Sequence, residues 1–241
     1  NGVTTDGTNL YVVDQSNHRI RKIVISTGVV TTLAGSSSGY ADGTGTSASF
    51  KEPAGITTDG TNLYVSDLAN HRIRKIVIST GVVTTLAGSG SASFADGTGT
   101  SATFNYPYGI TTDGTNLYVV DYWNHRIRKI VISTGVVTTL AGSGAAGSTD
   151  STDGTGTSAK FYYPRGITSD GTNLYVSDYN NNRIRQIVIS TGVVTTLAGS
   201  GAAGYADGTG TSATFSNPDG VTTDGTNLYV SDQSNNRIRK I

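Results

Sequence analysis

The stretch Gly55-Ile-Thr-Thr-Asp-Gly-Thr-Asn-Leu-Tyr-Val65 decides how this chain is read, because near copies of it begin at Gly2, Gly109, Gly166 and Gly220. Successive starts lie 53 to 57 residues apart, and a fixed period of that order marks a repeat architecture. The units run over residues 2–54, 55–108, 109–165, 166–219 and 220–241. In each full unit the part that ends with Val-Val-Thr-Thr-Leu-Ala-Gly, as from Gly55 to Gly88, is always 34 residues, whereas the connector after it varies from 19 to 23. The constant part is therefore read as scaffold.

Within unit 55–108, four short segments read as strands: Gly55 to Thr58, Asn62 to Ser66, Arg72 to Ile78 and Val82 to Ala87. Asp59-Gly60 and Ser79-Thr80-Gly81 are tight-turn signals flanked by β-formers, which makes the unit an antiparallel meander. Ile73 has the opposite parity from Ile76 and Ile78, so either the strand bulges or both its faces are buried. Stacked sheets bury both faces of their middle strands, and radial stacking of four-stranded sheets is the β-propeller. The expectation is an all-β propeller of five blades in one domain, the last incomplete because unit 220–241 lacks the fourth strand.

Composition agrees and excludes much else. The 241 residues include 32 Gly, no Cys, no Met and one Trp, and 14% are charged. Glu occurs once, while Thr, Val, Ile and Tyr abound, as in strands rather than helices. Without cysteine there is no disulfide framework, thiol nucleophile or thiolate metal site. Seventeen basic and seventeen acidic residues cancel, so no net field directs the chain to nucleic acid or to an anionic membrane. No apolar run reaches the roughly 18 residues of a membrane span, and no membrane insertion is expected. The chain opens with neither an initiator Met nor a signal sequence, so it reads as a trimmed, processed or excised product.

The blocks FNYPYGITTDGTNLYVVDYWNHRIRKI (104–130) and TLAGSG with ADGTGTSATF resemble the NHL repeat in its bacterial form with a long Asp-Gly-rich connector. Carrying the resemblance are Pro-x-Gly before the first strand, Leu-Tyr-Val-x-Asp at the end of the second and Asn-x-Arg-Ile-x-Lys opening the third. The resemblance covers essentially the whole chain. It implies a propeller, most often of six blades in that family, where this sequence shows five starts. Some such propellers are lyases or metal-dependent hydrolases with channel-facing His or acidic ligands. No His falls on the expected channel side here.

Comparing the five copies locates the variation. Abrupt changes follow the second-strand Asp, at Gln15-Ser16, Leu68-Ala69, Tyr122-Trp123, Tyr179-Asn180 and Gln233-Ser234, and also fill the slot between Pro and Gly. In an up-and-down blade these two regions emerge on one side, and loops on a rigid scaffold carry binding residues. The expected ligand site is lined by Asn1, Ala54, Tyr108, Arg165 and Asp219, supported by Glu52, Tyr106, Tyr163 and Asn217 before the prolines. Tyr122, Trp123 and Tyr179 would extend it. Aromatic faces beside one Arg and two acids suit a glycan or an extended peptide. The expected protein is a non-enzymatic binding or scaffold propeller, extracellular or on a bacterial cell surface, with protein, peptide or glycan partners. The alternative is a structural subunit that self-associates through the incomplete last blade.

Other chemistry is weakly signalled. His18, His71 and His125 occupy one position per blade, with Asn182 and Asn236 in the other copies. Spread in this way they cannot converge on one substrate atom, and they are expected to hydrogen-bond the tips beside Asn17, Asn70 and Asn124. The second-strand Asp residues (Asp14, Asp67, Asp121, Asp178, Asp232) and the Arg pair after each are expected to pin the tips. Asp-Gly-Thr-Gly-Thr-Ser offers one acid where a calcium loop would offer several; only the longest connector, with Asp150 to Asp153, comes near one. The motif reads instead as a turn that presents Phe50, Phe104, Phe161 or Phe215 to the seam between blades. No cofactor or metal is expected.

Overall fold

The computed structural model describes residues 2–145 and 153–241. They form five consecutive antiparallel sheets, the blades of an all-β propeller, and the helices among the described residues are single 3-10 turns. The first blade pairs Val3–Thr5, Asn9–Asp14, Arg19–Val24 and Val30–Ala34 in order. In the second the strands are Ile56–Thr58, Asn62–Asp67, Arg72–Val77 and Val82–Ala87, each within about one residue of its sequence expectation. Blades three and four repeat this arrangement. The last is incomplete, with three strands: Pro218–Thr223, Leu228–Asp232 and Arg237–Lys240. The chain groups into two compact units, one of Asn1–Leu117 with Ile130–Val137, the other of Tyr118–Lys129 with Thr138–Ile241.

Each Asp-Gly turn is built from its own side chains. In the second blade the Thr61 and Asn62 amides donate to Asp59 Oδ1, at 2.8 and 2.6 Å, and the Tyr64 hydroxyl donates to Oδ2 at 2.7 Å. Gly60 supplies the left-handed residue, φ +86°. At the equivalent turn of the fourth blade burial pushes the Asp170 carboxyl up. The Asn173 and Thr172 amides, with the Asn173 side chain and the Tyr175 hydroxyl, outweigh it and hold the carboxyl at about 2.

The parity of Ile73 is explained by burial of both faces. Ile73 and Ile76 are each fully buried from opposite sides, and Arg72–Val77 runs against Asn62–Asp67 without interruption. A register shift does occur at Ile73/Arg74, but only toward Val82–Ala87, where Leu86 is left unpaired.

The connectors add what the repeat alone does not show. Gly43–Thr44, from the first unit's connector, pairs with Val82 and Val83 as a fifth strand on the outer edge of the second blade. Gly154–Thr155 does the same on the fourth. Arg74, with a fully buried side chain, fixes that docking. One nitrogen donates to Asp67 Oδ2 (2.8 Å) and Ser49 O (3.0 Å), the other to Asp42 Oδ1 (2.7 Å) and Ala41 O (2.8 Å). Arg185 repeats the arrangement with Asp178 and Asp153. The Asp of the connector motif is thus the second carboxylate for a buried arginine, and charge-assisted bonds of this kind are about twice as strong as neutral ones. Asp150 lies outside the described residues, while Asp153 serves Arg185 and the Thr196 hydroxyl.

Connector phenylalanines seal seams between blades as expected. Phe50 is packed with Tyr11, Val13 and Ile20 of the first blade and with Leu63, Val65 and Ile76 of the second. Phe161 and Phe215 fill the corresponding places in the second unit. First strands of neighbouring blades approach so closely that a Cβ on Gly55 would lie 2.4 Å from Tyr108 O, and one on Gly166 2.3 Å from Asp219 O.

Candidate functional site

The tip after each second-strand Asp is a 3-10 turn, for example Tyr122–Asn124, closed by a residue in the left-handed region: His125 at φ 52°. The same place is taken by His18, His71, Asn182 and Asn236, all at φ 52–57°. Four positions before proline, Glu52, Tyr106, Tyr163 and Asn217, are left-handed as well, at φ 50–54°. That conformation costs a non-glycine residue about 1–2 kcal/mol, and the tips hold it in place. The amide of Glu52 donates to His18 Nδ1 (3.2 Å), that of Tyr106 to His71 Nδ1 (3.1 Å) and that of Tyr163 to His125 Nδ1 (3.1 Å). In the fourth blade Asn182 Oδ1 accepts from the Asn217 amide at 2.9 Å. The histidines therefore bridge to the next connector instead of bonding the tip beside Asn17, Asn70 and Asn124. The asparagines at those three positions bond the second-strand Asp, as in Asn70 to Asp67 at 2.9 Å.

The residue before each of these is fixed from the other side. The Tyr162 amide donates to Asp178 Oδ1 at 2.8 Å, and Lys51 uses Asp67 in the same way. Tyr162 and Tyr163 are thus clamped between the tip of the third blade and the second strand of the fourth.

On this clamp the second of the two compact units assembles an aromatic cluster next to Arg165. The Tyr163 ring lies 5.0 Å from Tyr122 and 5.1 Å from Trp123, edge-on to the latter, and Tyr122 and Trp123 are 5.8 Å apart. Arg165 stacks 3.6 Å over Tyr179 and 5.7 Å from Tyr122. Its guanidinium lies 3.6 Å from Asp219 Oδ1 and 3.4 Å from Gln233 Oε1, which also accepts from the Tyr179 hydroxyl at 3.0 Å. Burial opposes the Arg165 charge, but the Tyr122 hydroxyl and the Asp219 carboxylate outweigh it and raise its pKa. Trp123 is 48% exposed. The arrangement offers a half-exposed indole among tyrosine rings and a guanidinium whose charge is already balanced.

Of the residues singled out in the sequence, Tyr122, Trp123, Tyr163, Arg165, Tyr179 and Asp219 lie together here. Glu52, Tyr106 and Tyr108 belong to the first of the two compact units. There Tyr106 stands edge-on to His71 at 4.8 Å, Tyr108 is half-buried and Glu52 is exposed. Ala54 is buried, its carbonyl accepting the Gly2 amide; Asn1 lies outside the described residues. Gln233, Tyr162 and His125 are additions. Gln233 stood among the variable tip positions, whereas the acceptor role of His125 depends on a backbone conformation that the sequence does not display. Among the described residues no group of three His, Cys, Asp or Glu could hold a metal, and no helix is long and apolar enough to cross a membrane.

Comparison with known proteins gives the same architecture. Residues 161–187 match the NHL repeat family. The chain is 31% identical over 96% of its length to Protein SUPPRESSOR OF QUENCHING 1, chloroplastic, of Arabidopsis thaliana, and 28% identical over 99% to NHL repeat-containing protein 2 of Gallus gallus. It spans only 24% and 38% of those two proteins. An auxiliary nutrient binding protein from Bacteroides thetaiotaomicron superposes with a TM-score of 0.67 at 20% identity, over 99% of this chain and 68% of that one; this likeness is one of fold. With its five repeat starts, its meander blades and these relatives, the chain belongs to the NHL-repeat β-propellers.

Proposed function

We propose that this protein is a non-enzymatic binding module that recognises a neutral glycan through the aromatic cluster of its second unit. The observation that carries this reading is the half-exposed Trp123, joined through Tyr122 to the stacked, charge-balanced guanidinium of Arg165. A pyranose ring lays its C–H face on an indole and hydrogen-bonds through its hydroxyls to planar polar groups, here the Arg165 guanidinium, Asp219 and Gln233. A peptide's terminal carboxylate would have to displace Asp219 from Arg165, which favours the glycan over the peptide. A nutrient-binding protein of the same fold supports a binding role for such a scaffold. An extracellular or cell-surface location fits a glycan ligand and a chain without Cys or Met.

A glycan array followed by calorimetric titration tests the proposal. Trp123→Ala is expected to weaken the best ligand about tenfold, or about 1.4 kcal/mol, the scale of one lost aromatic stacking contact. Equal binding by parent and variant would move the site elsewhere, and a protein that binds no glycan on the array would overturn the reading.

A further inference from the structure

Three of the four tip-to-connector bonds depend on an unprotonated imidazole nitrogen, and one of them holds a ring of the aromatic cluster. We propose that His125 is the positioning residue of the Trp123 site and makes it acid-labile: protonation of His125 releases Tyr163 from Trp123 and Tyr122. This regulation rests on the reading of the cluster as the binding site.

The geometry fixes the protonation state. His125 Nδ1 accepts from the Tyr163 amide at 3.1 Å, so the neutral ring carries its proton on Nε2. An imidazolium has two donors and no acceptor. Its Nδ1–H would then face the Tyr163 N–H, and the left-handed Tyr163 (φ 50°) would lose the bond that offsets its strain. The imidazole is also packed edge-on to the Tyr163 ring at 4.5 Å and lies 5.8 Å from Tyr162. A displacement of the backbone at Tyr163 therefore carries its ring away from Trp123.

The surroundings oppose the charged form. His125 is 2% exposed. The titratable and charged groups around it are Arg126, next in the chain, and Tyr162 and Tyr163 on the connector packed against it; Asp178 is committed to the Tyr162 amide and to Arg185. Burial, then the Arg126 charge, lowers the His125 pKa below its ordinary 6.5. With the folded value depressed, the latch is made above pH 6.5 and is lost as the pH falls through the folded value, which lies below 6.5.

The fourth blade supplies the control. Asn182 does the same work with an amide oxygen that does not titrate near neutrality, and Asn tolerates the left-handed region better than other residues that carry a Cβ. The only Trp of the chain sits in the cluster, so its emission reports the site without any ligand. Wild-type protein titrated from about pH 7.5 to about pH 5 is expected to show a reversible Trp123 red shift and stronger acrylamide quenching, with a midpoint below the free histidine value. His125→Asn should lose the transition, whereas His71→Asn should keep it. A flat wild-type titration, an undiminished transition in His125→Asn, or a transition abolished by His71→Asn would each overturn the proposal. Because no ligand is present, this outcome is independent of whether the site binds a glycan.

Discussion

Arg74 and Arg185 show how much of each blade depends on one side chain. Each is fully buried, bonded to a buried second-strand Asp and to the connector Asp of the preceding unit. Replacing either Arg with an apolar residue leaves a buried carboxylate without its counter-charge, the situation that costs most in a buried pair. Arg74→Met is expected to lower unfolding stability by about 3–5 kcal/mol. Arg239→Met should cost less, because Arg239, although it also faces the buried Asp232, is itself 11% exposed and its second partner Asp207 is 95% exposed. Urea unfolding of the two variants checks this, and equal losses would show that burial does not set the difference. The Asp–Arg pairing was legible in the sequence because it recurs in every copy. That the connector supplies a second carboxylate was not, since Asp42 and Arg74 are 32 residues apart and meet only across a seam between blades.

At the scale of elements, the strands were readable because Asp-Gly and Thr-Gly punctuate runs of β-formers. The 3-10 tips were not, because Gln-Ser-Asn, Leu-Ala-Asn and Tyr-Trp-Asn share no helical signal; their common geometry comes from the left-handed His or Asn after them. The fifth strands escaped notice because two residues carry no periodicity. The start Gly of each repeat has a role distinct from that of the turn Gly. At Gly60 nothing lies within 4 Å of an added Cβ, and only the positive φ resists it, so Gly60→Ala is expected to cost about 1–2 kcal/mol. At Gly166 the Cβ would collide with a backbone carbonyl 2.3 Å away, forcing two neighbouring first strands apart. Gly166→Ala should therefore destabilise more than Gly60→Ala in denaturant unfolding. The reverse order would mean that the strands separate without strain.

For the whole molecule, the numbers of basic and acidic residues are equal, and buried arginines pair with acids of their own blade and of the preceding connector. The candidate site follows the same rule, since Arg165 already faces Asp219. The sequence indicated which residue types vary from blade to blade, but the grouping of Tyr122, Trp123, Tyr163, Arg165 and Tyr179 depends on tips and connectors that meet only in the fold. A site with a compensated charge recognises its ligand by stacking and hydrogen bonds, neither of which salt screens strongly. Raising salt from about 0.05 M to about 0.5 M shortens the screening length from roughly 14 Å to roughly 4 Å. Over that range the dissociation constant for a neutral glycan is expected to change less than about twofold, while a sulfated glycan held by arginines would lose affinity steeply. Calorimetric titration at the two salt concentrations distinguishes these cases. A steep salt dependence for the best ligand would show that Arg165 abandons Asp219 on binding, and that the recognised group is an anion.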